Sequence, residues 1–347
     1  MQNSAETTNA TRQLSGLLIL LAFIAGFAYI IFTATPDPTV TLQIFSTRFL
    51  GIFIEAAPFL LLGTLVSGFL EVYVTREDIV RWIPRNPFLA TLTGAFLGFA
   101  FPVCECGVVP VTRRLFSKGL PMSVGIAFIL AAPVMNPIVL VSTYIAFGQI
   151  APEIVVGRFV ITAFVSITVG LVFAYSAKPH EVLRPASLAP IIGGSGEIDL
   201  KSVQSNQRKP IMQGIYEALI LGGNEFFDMG RFLVIGCMLA AGLQTAVSQD
   251  TLLALGEGPL VSVLVMQGLA FLLSVCSTVD SFLALAFYGT FSGGSVMAFL
   301  TFGPMIDIKS TLMFRAVFKP KVVLYLILLP LLMTLLIGVW MNLYLPV

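Results

Sequence analysis

Histidine is almost missing from this chain. The one residue, His180, lies in a polar stretch, which argues against a histidine-based metal or proton site within a membrane. Charge is scarce as well: Asp, Glu, Lys and Arg make up 11% of 347 residues, and the formal net charge is +1. Nothing here invites a polyanionic partner, so no nucleic-acid binding is expected. No phosphate-cradling G-x-x-x-x-G-K-[ST] loop occurs, and no soluble domain is long enough to hold one. The chain therefore reads as neither an ATPase nor another enzyme, and no cofactor is implied. Cysteine is limited to Cys104, Cys106, Cys237 and Cys276. All four stand in apolar stretches, which argues against a secreted disulfide framework.

What is abundant is hydrophobic surface, at 57% of residues. Such a composition predicts an all-α polytopic membrane protein in a lipid bilayer. Residues 1–41 read as a polar tail and an extra span, Leu14–Thr33, retained because Thr-Pro-Asp-Pro follows it rather than a small-residue cleavage site. Residues 42–177 form a first membrane repeat, with spans predicted at Phe45–Val72, Phe88–Phe116, Pro121–Gly148 and Ile154–Ala177. Residues 178–210 form a cytoplasmic linker rich in Gly, Ser and Pro. Residues 211–347 form a second repeat, with spans at Phe226–Val247, Pro259–Phe291, Ser295–Phe318 and Val322–Leu345. Ile211–Gly223 reads as an interfacial helix leading into the first of these.

The halves match by spacing. Pro87 and Pro259, like Cys104 and Cys276, lie 172 residues apart; Pro133 and Pro304, like Asn136 and Asp307, lie 171 apart. Each half then holds a broken or re-entrant Cys-bearing segment and a Pro-broken helix. Arg76, Arg81, Arg85, the basic linker, Lys319 and Lys321 share one face only if the Cys-bearing segments enter and leave on the same side. That favours inverted repeats in a multi-pass protein with its N-terminus in the cytoplasm; Cys-bearing segments that span the membrane would instead give parallel halves, against the charge rule. Paired interruptions in two halves point to a transporter's binding site.

The interruptions carry the chemistry. In Cys104-Glu105-Cys106, Pro102 and Gly107 open the helix, and two thiols flank one carboxylate. Thiols on open backbone can converge on a soft ion such as Cu(I), Zn(II) or trivalent arsenic, although no metal is assigned. Cys276 is a candidate third thiol. Glu105 and Asp280 are candidate proton carriers, since a carboxylate at membrane depth is costly and functional by default. Asn136 and Asp307 stand at the proline breaks, where half-helix ends can coordinate a substrate. Arg113, Arg114 and Lys118 read as a cytoplasmic anchor, and Cys237 reads as packing. Glu55 and Glu225 each read as either interfacial or cavity-lining.

Pro102–Val111 (PVCECGVVPV), Gly119-Leu-Pro, Ala132–Pro137 (APVMNP), Cys276-Ser-Thr-Val-Asp-Ser and Gly303–Asp307 together resemble the signatures of the predicted permease family of the YraQ and ArsP (organoarsenical efflux permease) type. The resemblance runs from about Leu42 to the C-terminus. It implies an inner-membrane permease whose better-understood branch exports trivalent arsenicals through thiols, landing on Cys104, Cys106 and Cys276. It also implies assembly either as a homodimer or with a second membrane subunit. The expected function is efflux of a thiophilic small solute by alternating access. Two alternatives stay open: a permease for a metal ion or small anion with incidental cysteines, and a membrane subunit with a redox-active dithiol.

Overall fold

The computed structural model describes residues 38–84, 86–100, 103–176, 182–183, 211–246 and 258–344. The span expected at Leu14–Thr33, Pro102 and nearly all of the linker lie outside the described residues. Thirteen helices are present among those described. The first half holds α1 (Pro38–Tyr73), α2 (Arg76–Trp82), α3 (Pro87–Ala100), α4 (Glu105–Ser117), α5 (Met122–Ala131), α6 (Pro137–Phe147) and α7 (Pro152–Ser176). The second holds α8 (Ile211–Ala246), α9 (Val261–Leu273), α10 (Asp280–Phe287), α11 (Gly293–Met305), α12 (Ile308–Val317) and α13 (Pro320–Tyr344).

Five helical stretches are long and apolar enough to cross a bilayer: Thr39–Tyr73, Pro152–Tyr175, Met212–Ala246, Gly293–Val317 and Pro320–Tyr344. Gly293–Val317 is 83% buried, against 28% for the window of Thr39–Tyr73, so the former runs through the protein core and the latter lies at its edge. The exposed faces of α1, α7, α8 and α13 carry Leu, Ile, Val and Phe, as lipid contact requires. One expectation is corrected here. Ile211–Gly223 is not a separate interfacial helix, because α8 runs unbroken for 36 residues, about 54 Å at 1.5 Å per residue. Nothing in Ile211–Phe226 breaks a helix; its glycines weaken it without stopping it.

Helices α1 and α8 pair antiparallel along most of their length. Ser67 meets Glu225, Gly68 meets Ala218, and at the other end Arg48 donates to the Gln244 carbonyl. Small residues let backbones touch. A Cβ on Gly63 would sit 2.3 Å from the Gly107 Cα, so α1 crosses α4 with no room for a side chain.

Two ends of the molecule can be told apart. Lys118, just after α4, donates to the Glu71 and Val74 carbonyls at the end of α1, and Lys319 N–H donates to the Val182 carbonyl in the linker. We call this the linker end. At the far end, Asn342 of α13 donates to the Pro259 carbonyl, and Ser262 at the start of α9 bonds Ser295 at the start of α11. Ser292, which follows α10, also lies there, so α9 starts where α10 finishes.

Candidate functional site

Four short helices begin near the middle of the molecule. α4 and α12 run side by side to the linker end: Lys309 pairs with Glu105 at their starts, and Phe116 packs edge-on against Phe318 at their finish. α6 and α10 run side by side to the far end, with Thr143 on Ser281 and Phe147 on Tyr288. The starts of α4 and α10 lie within electrostatic range of each other, through Glu105 and Asp280, and a helix N-terminus carries about half a positive charge. Local sequence explains the starts. Asn136 accepts from Ile138 N–H at 2.9 Å and Pro137 occupies the first turn of α6. Asp307 Oδ1 accepts from Ser310 N–H at 2.6 Å, and the Ser310 hydroxyl accepts from Asp307 N–H, which closes a capping box on α12. Glu105 and Asp280 are the first residues of α4 and α10. The four polar candidates at the breaks thus mark the four helix starts.

Three charge clusters accompany these helices, two at their starts and the third at the finish of α4. In the first, Lys309 Nζ lies 3.6 Å from Glu105 Oε1 and 3.6 Å from Asp307 Oδ2. The three residues are 1%, 3% and 2% exposed. Both contacts exceed hydrogen-bond length, and Glu105 Oε2 and Asp307 Oδ2 accept no hydrogen bond among the described residues. Glu55 of α1 lies near the Cys276 backbone and within electrostatic range of Lys309. The cluster therefore sets three carboxyl groups against one ammonium.

The cysteines gather at this cluster. All four are free and buried. The Cys104 and Cys106 thiols lie near each other. Cys276 follows the end of α9, feels the charge of Glu105 and lies near Cys104; its sulfur accepts from Thr278 Oγ1 at 3.6 Å. Ser274, just before it, has φ 50°, a left-handed conformation unusual for a residue with a Cβ, and its hydroxyl accepts from Ile308 N–H. Cys237 of α8 lies beside Lys309 and Asp307. Among the described residues, no three His, Cys, Asp or Glu side chains are grouped as the ligands of a metal ion would be.

In the second cluster, Arg158 of α7 is fully buried. Its guanidinium donates to Asp280 Oδ2 at 2.7 Å, Ser281 Oγ at 2.8 Å, Thr143 Oγ1 at 2.9 Å and the Ser277 carbonyl at 3.3 Å. Asp280 is thus held in an ion pair between helices. Sequence reading missed Arg158 because the surrounding span is otherwise plainly apolar; an arginine inside such a span was the available signal.

In the third, Arg114 Nε donates to Glu225 Oε2 at 3.2 Å, and Ser67 Oγ donates to the same oxygen at 2.6 Å. Glu71 lies 3.9 Å from Arg114 and 3.8 Å from Lys118. Arg114 is therefore not part of a surface anchor. It is 3% exposed and pairs with Glu225, itself wholly buried in the protein.

Comparison with known proteins now bears on this arrangement. Residues 41–343 match the model of the family described as ArsP_1, predicted permease. The chain belongs to this predicted permease family. It is 45% identical over 279 residues to UPF0718 protein YcgR of Bacillus subtilis (strain 168), covering 80% of this chain and 90% of that protein. It is 38% identical over 276 residues to a Streptococcus mutans serotype c protein named "Putative two-component membrane permease complex subunit", covering 80% of this chain and 87% of that one. UPF0718 protein YraQ of Escherichia coli (strain K12) matches at 28% over 80 residues, 23% of each chain. No solved structure matches. The chain is thus a multi-pass membrane protein of a permease family, and the matched region takes in every half-helix and all three charge clusters.

Proposed function

We propose that this permease is a secondary transporter that exports a thiophilic solute, with trivalent organoarsenicals the leading class. One observation carries the reading. Cys104 and Cys106, thiols that lie near each other, flank a buried carboxylate whose counter-charge, Lys309, belongs to the other half of the chain. A solute seated on the two sulfurs would touch the contact between the halves, where alternating access must act. Cys276 would close in from its open segment, Asn136 and Asp307 would present helix starts, and Glu105 or Asp280 would carry protons. The antiparallel course of α1 and α8, and of the broken pairs α5–α6 and α11–α12, supports inverted repeats with re-entrant Cys-bearing segments. We assign the linker end to the cytoplasm and the membrane to the inner one. The relative named as a complex subunit favours a second membrane subunit over a homodimer.

Binding of phenylarsine oxide to purified protein tests this. The Cys104→Ser/Cys106→Ser variant should bind about 100-fold more weakly, equivalent to about 2.7 kcal/mol. Equal binding by wild type and variant would discard the thiol mechanism. A second reading keeps the fold and makes the cysteines incidental, with a metal ion or small anion bound at Asp307 and the helix starts. Transport that resists thiol blockers but is abolished by Asp307→Asn would favour it.

A further inference from the structure

The outer face of α8 carries an ion pair where lipid would be expected. The Arg231 side chain is 66% exposed and that of Asp228 44% exposed, one turn apart. Any stretch of about 20 residues within Ile211–Ala246 contains Asp228, so a bilayer core laid anywhere along this helix takes the pair in. Exposed apolar side chains bracket it, Ile220 on one side and Ile235 on the other. Among the described residues, the partners of Arg231 all come from its own helix. Its Nε donates to the Asp228 carbonyl at 3.0 Å, its guanidinium stands 4.0 Å from Asp228 Oδ1, and it lies 5.1 Å from the centre of the Phe232 ring. Charged groups at membrane depth nearly always face protein or a water-filled cavity, not hydrocarbon. The face is also patterned. Asn224 and Arg231, Ile220 and Phe227, and Asp228 and Ile235 each stand seven residues apart, all turned outward, with Phe227 77% exposed. A seven-residue repeat is the seam of a helix–helix contact, and polar residues on such a seam fix register and partner.

We propose that this face of α8 docks a spanning helix of the second membrane subunit, a helix that carries a carboxylate opposite Arg231 and a hydrogen-bond donor opposite Asp228. The proposal rests on the second-subunit reading above and adds where that partner sits and what recognises it. Charge favours a different chain over a second copy. A twofold axis along the membrane normal sets each residue level with its own copy, which brings Asp228 against Asp228 and Arg231 against Arg231. A different chain is free to set opposite charges at each level. The contact also reaches inward. Glu225, one turn before Asp228, holds Arg114 of α4 from the inner side of α8, so a partner on this face bears on the helix that anchors α4.

Site-specific photocrosslinking of the full-length chain, in the membranes of cells that make it, tests this. With p-benzoylphenylalanine in place of Phe227, irradiation should give an adduct with a different integral membrane protein. Mass spectrometry should place the link in a spanning segment of that protein, with an Asp or Glu within one turn. The same photolabel at Leu336, exposed on the outer face of α13, should give no such adduct. Arg231→Glu should lower the Phe227 adduct about 10-fold, Arg231→Lys should keep it, and changing the partner's acid to Lys should restore the adduct of Arg231→Glu. Should Arg231→Glu fail to accumulate, Arg231→Gln, which adds no repulsion, replaces it in the comparison of adduct yields. An adduct with a second copy, with residues 1–37 of the same chain or with lipid alone overturns the proposal, as does an adduct that Arg231→Glu leaves unchanged. A second subunit that cross-links from Leu336 and not from Phe227 removes this face and leaves the two-subunit reading standing. A chain that purifies alone and gives no protein adduct from either position removes both.

Discussion

Arg158→Met should destabilise the protein by about 3–5 kcal/mol, seen as a large drop in melting temperature in detergent and in membrane yield. The substitution removes four donated hydrogen bonds and leaves Asp280, 3% exposed, without its counter-charge. Asp280→Leu alone should do similar harm by stranding Arg158. The double variant Arg158→Met/Asp280→Leu should recover most of the loss, because a buried pair replaced as a whole by apolar groups is often neutral. Thr143 and Ser281, 3.1 Å apart, would keep each other as partners. A double variant no more stable than either single one would refute this account of the pair. If the double variant folds and still transports, the pair is structural; if it folds and does not, the pair belongs to the transport cycle.

Gly63→Ala should impair the site without touching any solute. The added methyl would meet Gly107 at 2.3 Å from Cα and 2.7 Å from the carbonyl oxygen, both backbone atoms that no side-chain rotation can move aside. α4 would have to shift at the residue next to Cys106. Overpacking of this kind costs about 1–3 kcal/mol. A displacement of about 1 Å at a site can cost about 100-fold in its activity. Phenylarsine oxide binding should therefore fall well beyond what the lost stability suggests. Gly51→Ala on the same helix is the control, since nothing lies within 4 Å of its added methyl. Equal effects of the two substitutions would mean that the α1–α4 contact does not hold the site.

The helix breaks were legible because their causes are local. Proline, a cap residue and a polar gap in an apolar run announce a chain that must stop and restart, and Asn136, Asp307, Glu105 and Asp280 all stand at such restarts. The partners of those residues were not legible, because they come from distant helices. Arg158 lies 122 residues from Asp280, and Arg114 lies 111 from Glu225. Arg114 resembled a surface anchor since basic residues near a span's end usually are, and only the fold shows that Glu225 meets it. Cys237 has no polar neighbour in sequence; its neighbour Lys309 is brought by the Gly236 crossing. The unbroken α8 was obscured because its first turns mix Gln, Glu and Asn with apolar residues, which reads as an interface when burial against α1 is unknown.

The pairing of α1 with α8 sets a waiting time for biogenesis. Ser67 and Glu225 are 158 residues apart in the chain. At about 5–20 residues per second, α1 has been made for about 8–30 seconds before its partner residue leaves the ribosome. Through that interval the glycine-lined groove of α1 has no α8 to fill it, and Arg114, 111 residues ahead of Glu225, waits about 6–22 seconds for its partner. Completion of the second half is what releases them, so a ribosome stalled in the linker would strand a nascent first half whose Arg114 has Glu71, 3.9 Å away, in place of Glu225.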